Sequence, residues 1–86
     1  MLRIWADFNS CEGLYGAGPC WCLGYGEKLD DLESVEKELG LADGLRVVLY
    51  PGEEDFEVTA VLEKDPLLNK WQARPDWTTF RRLKDD

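Results

Sequence analysis

Leu45-Arg46-Val47-Val48-Leu49-Tyr50, Pro51-Gly52-Glu53-Glu54-Asp55 and Phe56-Glu57-Val58-Thr59-Ala60-Val61-Leu62-Glu63 read in succession as a β-forming run, a turn and a second β-forming run. In the first run Leu45, Val47 and Leu49 share one face, with Val48 and Tyr50 on the other. In the second, Phe56, Val58, Ala60 and Leu62 alternate with Glu57, Thr59, Val61 and Glu63. A period of two residues with one apolar face is the signature of a half-buried strand. Pro, Gly and acidic residues between two such strands predict an antiparallel hairpin.

On the N-terminal side of this hairpin, residues 30–39 carry helical spacing. Asp30 is placed to cap the helix, with Glu33 three residues on. Leu32, Val35 and Leu39 form one apolar stripe. Gly40 stands where a left-handed C-cap belongs, and Leu41 is placed to close back on Val35. Farther back, residues 2–8 alternate: Leu2, Ile4, Ala6 and Phe8 face one way, and Arg3, Trp5 and Asp7 the other. Residues 9–19 are turn-forming. Cys20-Trp21-Cys22-Leu23 is expected to be a short strand with both cysteines on one face, ended by Gly24-Tyr25-Gly26.

On the C-terminal side, residues 64–69 read as a loop. Residues 70–74 form a strand with Trp71 and Ala73 on one face, and Pro75 enforces a turn or bulge. Residues 77–83 form either a last strand or a helical turn opened by Asp76. The aromatic core candidates are Trp5, Trp21, Trp71, Trp77, Phe8, Phe56 and Phe80. Eighty-six residues allow one domain, 1–86. The expected fold is mainly β with one short helix, in a small SH3-like barrel or a strongly curved antiparallel sheet. An open α+β sheet is the alternative.

The chain carries 18 Asp+Glu against 10 Lys+Arg, a net charge of −8, and no histidine. Such a field excludes general nucleic-acid binding, which needs a basic face, and opposes docking on anionic lipid. The charge is uneven. Residues 27–65 hold 13 acidic and 4 basic side chains, whereas residues 70–86 hold 3 acidic and 5 basic. Arg74, Arg81 and Arg82 therefore either answer the acidic lobe or form a separate patch, and the exclusion of nucleic acid is weakest at the Arg81–Arg82 end.

Arg46 interrupts the most apolar run, which is far shorter than the roughly 20 residues of a membrane span. With three cysteines and no leader-like segment, the expectation is a soluble, cytoplasmic chain with reduced thiols.

Trp5-Ala6-Asp7-Phe8-Asn9, Leu29-Asp30-Asp31-Leu32, Gly44-Leu45-Arg46-Val47-Val48-Leu49-Tyr50 and Trp71-Gln72-Ala73-Arg74-Pro75-Asp76-Trp77 carry a resemblance. In order and spacing they resemble a group of small single-domain bacterial proteins of about this length, which has no catalytic role to transfer. Trp71 to Arg74 is also similar to the W-x-A-R run of SH3 modules, and fold alone confers no function.

Three constellations have chemical potential. Cys11, Cys20 and Cys22 are a soft-ligand trio for zinc or a cuprous ion, and equally small hydrophobes for a core layer. The glycine pairs Gly16/Gly18 and Gly24/Gly26 complete no phosphate-binding motif and read as tight turns. Glu53, Glu54, Asp55 and Glu57 match no calcium-loop spacing and read as a solvated hairpin tip.

The aromatics are the better lead. Trp5 lies off the apolar face of its strand, and Tyr15, Tyr25, Tyr50 and Trp77 join it as candidates for exposure. Exposed aromatics beside Glu53, Glu54 and Asp55 suit a protein partner carrying prolines and basic residues; the alternative is a second, minor core. The expected function is thus a non-enzymatic protein-interaction module, monomeric or homodimeric, with no cofactor. Two alternatives are an acidic inhibitor of the immunity or antitoxin type, which would mimic nucleic acid, and a thiolate metal-binding protein.

Overall fold

The computed structural model describes residues 1–13, 16–53 and 55–83. Leu14, Tyr15, Glu54 and residues 84–86 lie outside the described residues, and with them the expectations placed on Tyr15 and Glu54. The elements are β1 (Arg3–Ala6), a 3-10 turn (Phe8–Ser10), β2 (Leu23–Gly24), α1 (Leu32–Leu39), β3 (Arg46–Tyr50), β4 (Phe56–Asp65), β5 (Lys70–Pro75), a second 3-10 turn (Trp77–Thr79) and β6 (Arg81–Arg82). The fold is mostly β with one short helix among the described residues, as the residue pattern predicts.

The antiparallel hairpin forms, with Val47 opposite Ala60 and Leu49 opposite Val58. The sheet order is β2-β1-β3-β4-β5, and β6 pairs with the start of β4. The β1–β3 ladder is parallel, not antiparallel. A parallel neighbour requires a long crossover, and the segment that carries α1 provides it. The inward residues Ile4, Ala6, Val47, Leu49, Val58, Ala60, Leu62, Trp71 and Ala73 form one core, covered by Leu32 of α1.

The sheet does not close into a barrel, which corrects the first expectation. Closure needs a continuous ladder between the two outer strands. Here residues 20–24 reach from one edge to the other, but they pair with β5 only at Cys20–Ala73. That bridge shields the β5 edge. Ala73 gives its N–H to Cys20 and accepts Cys20's in return, at 3.0 and 2.7 Å. The Trp71 N–H is taken by Glu33 Oε2 at 2.9 Å, and Pro75 has no N–H to leave exposed. Pro75 therefore ends an edge strand and forms no bulge. An open sheet edge invites pairing with another chain, and these three residues remove most of that invitation.

Helix α1 begins one residue later than the cap position predicts. Asp31, not Asp30, is the N-cap, and its side chain makes no capping bond. Gly40 takes the left-handed conformation at φ 68°, and the Leu41 N–H closes on Glu36 O at 2.9 Å. Residues 64–69 are no loose loop, because β4 runs on to Asp65. Asp65 Oδ1 then accepts the N–H groups of Leu67 and Leu68, at 2.8 and 3.1 Å, in a tight turn. After β5 both alternatives occur. Asp76 opens a 3-10 turn and β6 follows.

Candidate functional site

Trp5 and Tyr50 are register partners in the parallel β1–β3 ladder, so their side chains share the sheet face opposite the core. Trp5 is also paired with Gly24 across the β1–β2 ladder. Gly24 has no side chain, and Leu29 lies over it: a Cβ at Gly24 would sit 2.9 Å from Leu29 Cβ. Leu29 is held there, at φ 53°, by the reciprocal backbone bonds of Tyr25 and Asp30, both 2.9 Å. Gly52, in the turn between β3 and β4, lies against the Trp5 indole, with 3.4 Å between a Cβ placed there and Nε1.

Together Trp5, Tyr50 and Gly52 on one side and Gly26, Glu27 and Leu29 on the other enclose an open groove of about 310 Å³. Its chemistry is an aromatic wall and an exposed leucine, with a carboxylate at Glu27. Glu53 and Asp55 lie exposed in the turn that carries Gly52. The Arg3 guanidinium lies 4.6 Å from the centre of the Tyr50 ring, a cation–π contact that helps hold the ring in place.

Of the sequence-derived candidates, Trp5 and Tyr50 line this groove, and Glu53 follows the lining residue Gly52 in the chain. Tyr25 is half-buried and packs against the core at the base of the turn that presents Leu29. Trp77 lies elsewhere. Its ring is 5.6 Å from Phe8 and 6.4 Å from Phe56, and Phe56 stacks on Phe80 at 5.1 Å. The Trp77 indole N–H donates to Gly16 O at 3.1 Å. These rings form a half-exposed aromatic cluster in which Phe8 and Trp77 pack against the main core. The separation corrects the expectation of a single Trp5–Trp77 surface, because the turn after β5 carries Trp77 to the β6 end. Trp71 is the one tryptophan buried in the main core; Phe80 stays 48% exposed.

The cysteine trio is also corrected. Cys11 and Cys20 form a disulfide, and Cys22 is an exposed free thiol. Two of the three sulfurs are thus bonded to each other and unavailable as thiolates, and the expectation of reduced thiols fails for that pair. Cys20 and Cys22 do not share a face: Cys20 is buried against Ala73, while Cys22 faces solvent. The regular strand begins only at Leu23. Among the described residues no group of three His, Cys, Asp or Glu is placed to hold a metal ion.

The acidic lobe is partly answered from within. Glu36 holds Lys64 at 2.9 Å, Glu63 holds Arg74 at 3.3 Å, and Glu57 lies 3.7 Å from both Arg3 and Arg81. Arg74 and Arg81 therefore act as counter-charges. Asp76 has a perturbed carboxyl: the Thr78 hydroxyl and backbone N–H both donate to its Oδ1, at 2.6 and 3.1 Å. These bonds hold its pKa below the ordinary aspartate value, with a smaller pull from the Arg46 charge.

A second cavity, of about 100 Å³, lies between Trp21, Cys22, Leu32, Glu33, Lys70 and Trp71. It has room for a few atoms and not for a peptide.

Sequence reasoning missed Leu29, Gly26 and Glu27. The Gly24-Tyr25-Gly26 signal marked a turn there, but nothing local showed that the turn folds back over Trp5. No helix among the described residues is long and apolar enough to cross a membrane. In comparisons with family models, curated proteins and solved structures, the chain matches none.

Proposed function

We propose that this protein is a protein-interaction module whose groove takes an extended, proline-bearing segment with an adjacent Lys or Arg. The observation that carries the reading is the side-by-side placement of Trp5 and Tyr50, facing Leu29 across an open groove. Proline-rich ligands dock on aromatic-lined grooves because their extended helix is preformed and loses little entropy on binding. Glu27 in the groove lining, with the exposed Glu53 next to Gly52 in a chain of net charge −8, supplies the complement for a basic side chain and speeds its encounter.

A non-catalytic role belongs to the same reading, since the chain has no histidine and the perturbed carboxyl of Asp76 caps a turn. The acidic-inhibitor alternative draws less support, because Glu33, Glu36, Glu57 and Glu63 already hold internal partners.

The test is titration of isotopically labelled protein with a panel of synthetic peptides: proline-rich with Arg or Lys, proline-rich with Glu, and proline-free basic. Trp5 indole and Tyr50 ring signals are expected to shift with the first set. Trp5→Ala is expected to weaken that binding by roughly tenfold or more, the scale of an aromatic anchor. No shift at either residue across the panel, or tight binding unaffected by Trp5→Ala, would refute the assignment.

A further inference from the structure

The loop between Cys11 and Cys20 has a chemistry independent of the groove. Its two bonded sulfurs differ in access. Cys20 is fully buried, and its backbone is bonded both ways to Ala73 of β5, whereas Cys11 is only partly buried. Beside the disulfide the Glu12 N–H donates to Pro19 O at 3.0 Å. A Cβ at Gly16 would lie 3.6 Å from Cys11 Cβ, and the Gly16 carbonyl takes the Trp77 indole N–H at 3.1 Å. Gly16, within the disulfide-closed stretch, is thereby tied to both Cys11 and Trp77.

We propose that Cys11 is a thiol-exchange site for low-molecular-weight thiols, and that opening the disulfide releases the loop's hold on Trp77. Exchange begins with a thiolate attacking a disulfide sulfur, and access decides which sulfur is attacked. The incoming thiolate bonds to Cys11 Sγ and the Cys11–Cys20 bond breaks. The electron pair leaves on Cys20 Sγ, which takes up a proton. The product is a mixed disulfide at Cys11. A second thiol attacks the added sulfur, forming the low-molecular-weight disulfide and leaving Cys11 as a thiol. Two thiols are oxidised and the protein disulfide is reduced. Cys20 keeps its place through its two backbone bonds to Ala73, whereas Cys11 is then left with its own N–H bond to Phe8 O and the neighbouring Glu12–Pro19 bond, so any loosening falls on the Cys11 side.

The experiment uses the full chain carrying Cys22→Ser, which keeps the pair and removes the exposed free thiol. Brief exposure to glutathione, an acid quench and peptide mapping are expected to find the adduct on Cys11 and a thiol at Cys20. Comparable adduct on Cys20, or alkylation of both residues before any reductant is added, overturns the assignment. Acrylamide quenching then reads the release. The Trp77 contribution, taken as the difference from a Trp77→Phe variant, is expected to increase on full reduction, and an unchanged contribution overturns it. The Cys11→Ser/Cys20→Ser/Cys22→Ser variant is expected to keep its far-ultraviolet circular dichroism; an unfolded variant would make the bond purely structural and overturn the switch.

Discussion

Gly24→Ala is the substitution whose cost the structure defines most closely. The new methyl would stand 2.9 Å from Leu29 Cβ, 3.0 Å from Leu29 Cα and 3.2 Å from its carbonyl carbon. To restore the 3.4 Å at which ordinary contact begins, Leu29 must recede by the 0.5 Å difference. It is not free to do so, because the paired backbone bonds of Tyr25 and Asp30 clamp the turn. Overpacking of this kind costs about 1–3 kcal/mol. In a domain of this size that lowers the melting temperature by roughly 5–20 °C.

Urea unfolding of the disulfide-intact protein, followed by circular dichroism, measures the loss as a lower midpoint at unchanged slope. A double-mutant cycle with Leu29→Gly isolates the cause, since that change removes the atom at 2.9 Å and suits the φ of 53° at residue 29. The double variant is expected to lose less than the two single losses added together. A Gly24→Ala midpoint equal to wild type, or strict additivity with Leu29→Gly, would show that Leu29 does not lie over Gly24 and would remove one wall of the groove.

Thr79→Val should cost about 1–3 kcal/mol in the same urea assay, because Thr79 Oγ1 accepts both the N–H and the hydroxyl of Thr59, at 2.9 and 2.8 Å. Glu33→Ala should cost a similar amount by baring the Trp71 N–H at the sheet edge, while Glu33→Gln, which keeps an acceptor, should stay close to wild type. The lowered Asp76 pKa contributes stability that is fully present above the ordinary aspartate value of about 3.9 and is lost as pH falls through the folded-state value. Unfolding midpoints measured between pH 5 and pH 2 should therefore fall less steeply for Asp76→Asn than for wild type.

Which predictions the residue pattern carried follows from the range of the forces involved. The β3–β4 hairpin was legible because alternation and turn chemistry act between near neighbours. The inward set Val47, Leu49, Val58, Ala60 and Leu62 can be read from it residue by residue. Gly40 was legible as a C-cap for the same reason. The Cys20–Leu23 strand was not, because its geometry is set by partners far along the chain: Ala73 for Cys20, and Ala6 for Leu23. Trp5 was placed off the apolar face correctly, but its partners in the groove depend on the parallel pairing with β3 and on the turn at residues 25–30.

The sequence by itself determined the acidic charge, the helix with its Gly40 cap, and the strands β1, β3, β4 and β5 with the inward face of each. Those are properties of composition and of a two-residue or 3.6-residue period. The tertiary structure alone decided that β1 joins β3 in parallel and that the sheet stays open. It also decided that Cys11 bonds Cys20, and that Trp5 and Trp77 serve different surfaces. Each of these joins residues that no local rule links, and the contacts form only once the core has fixed where the intervening turns cross.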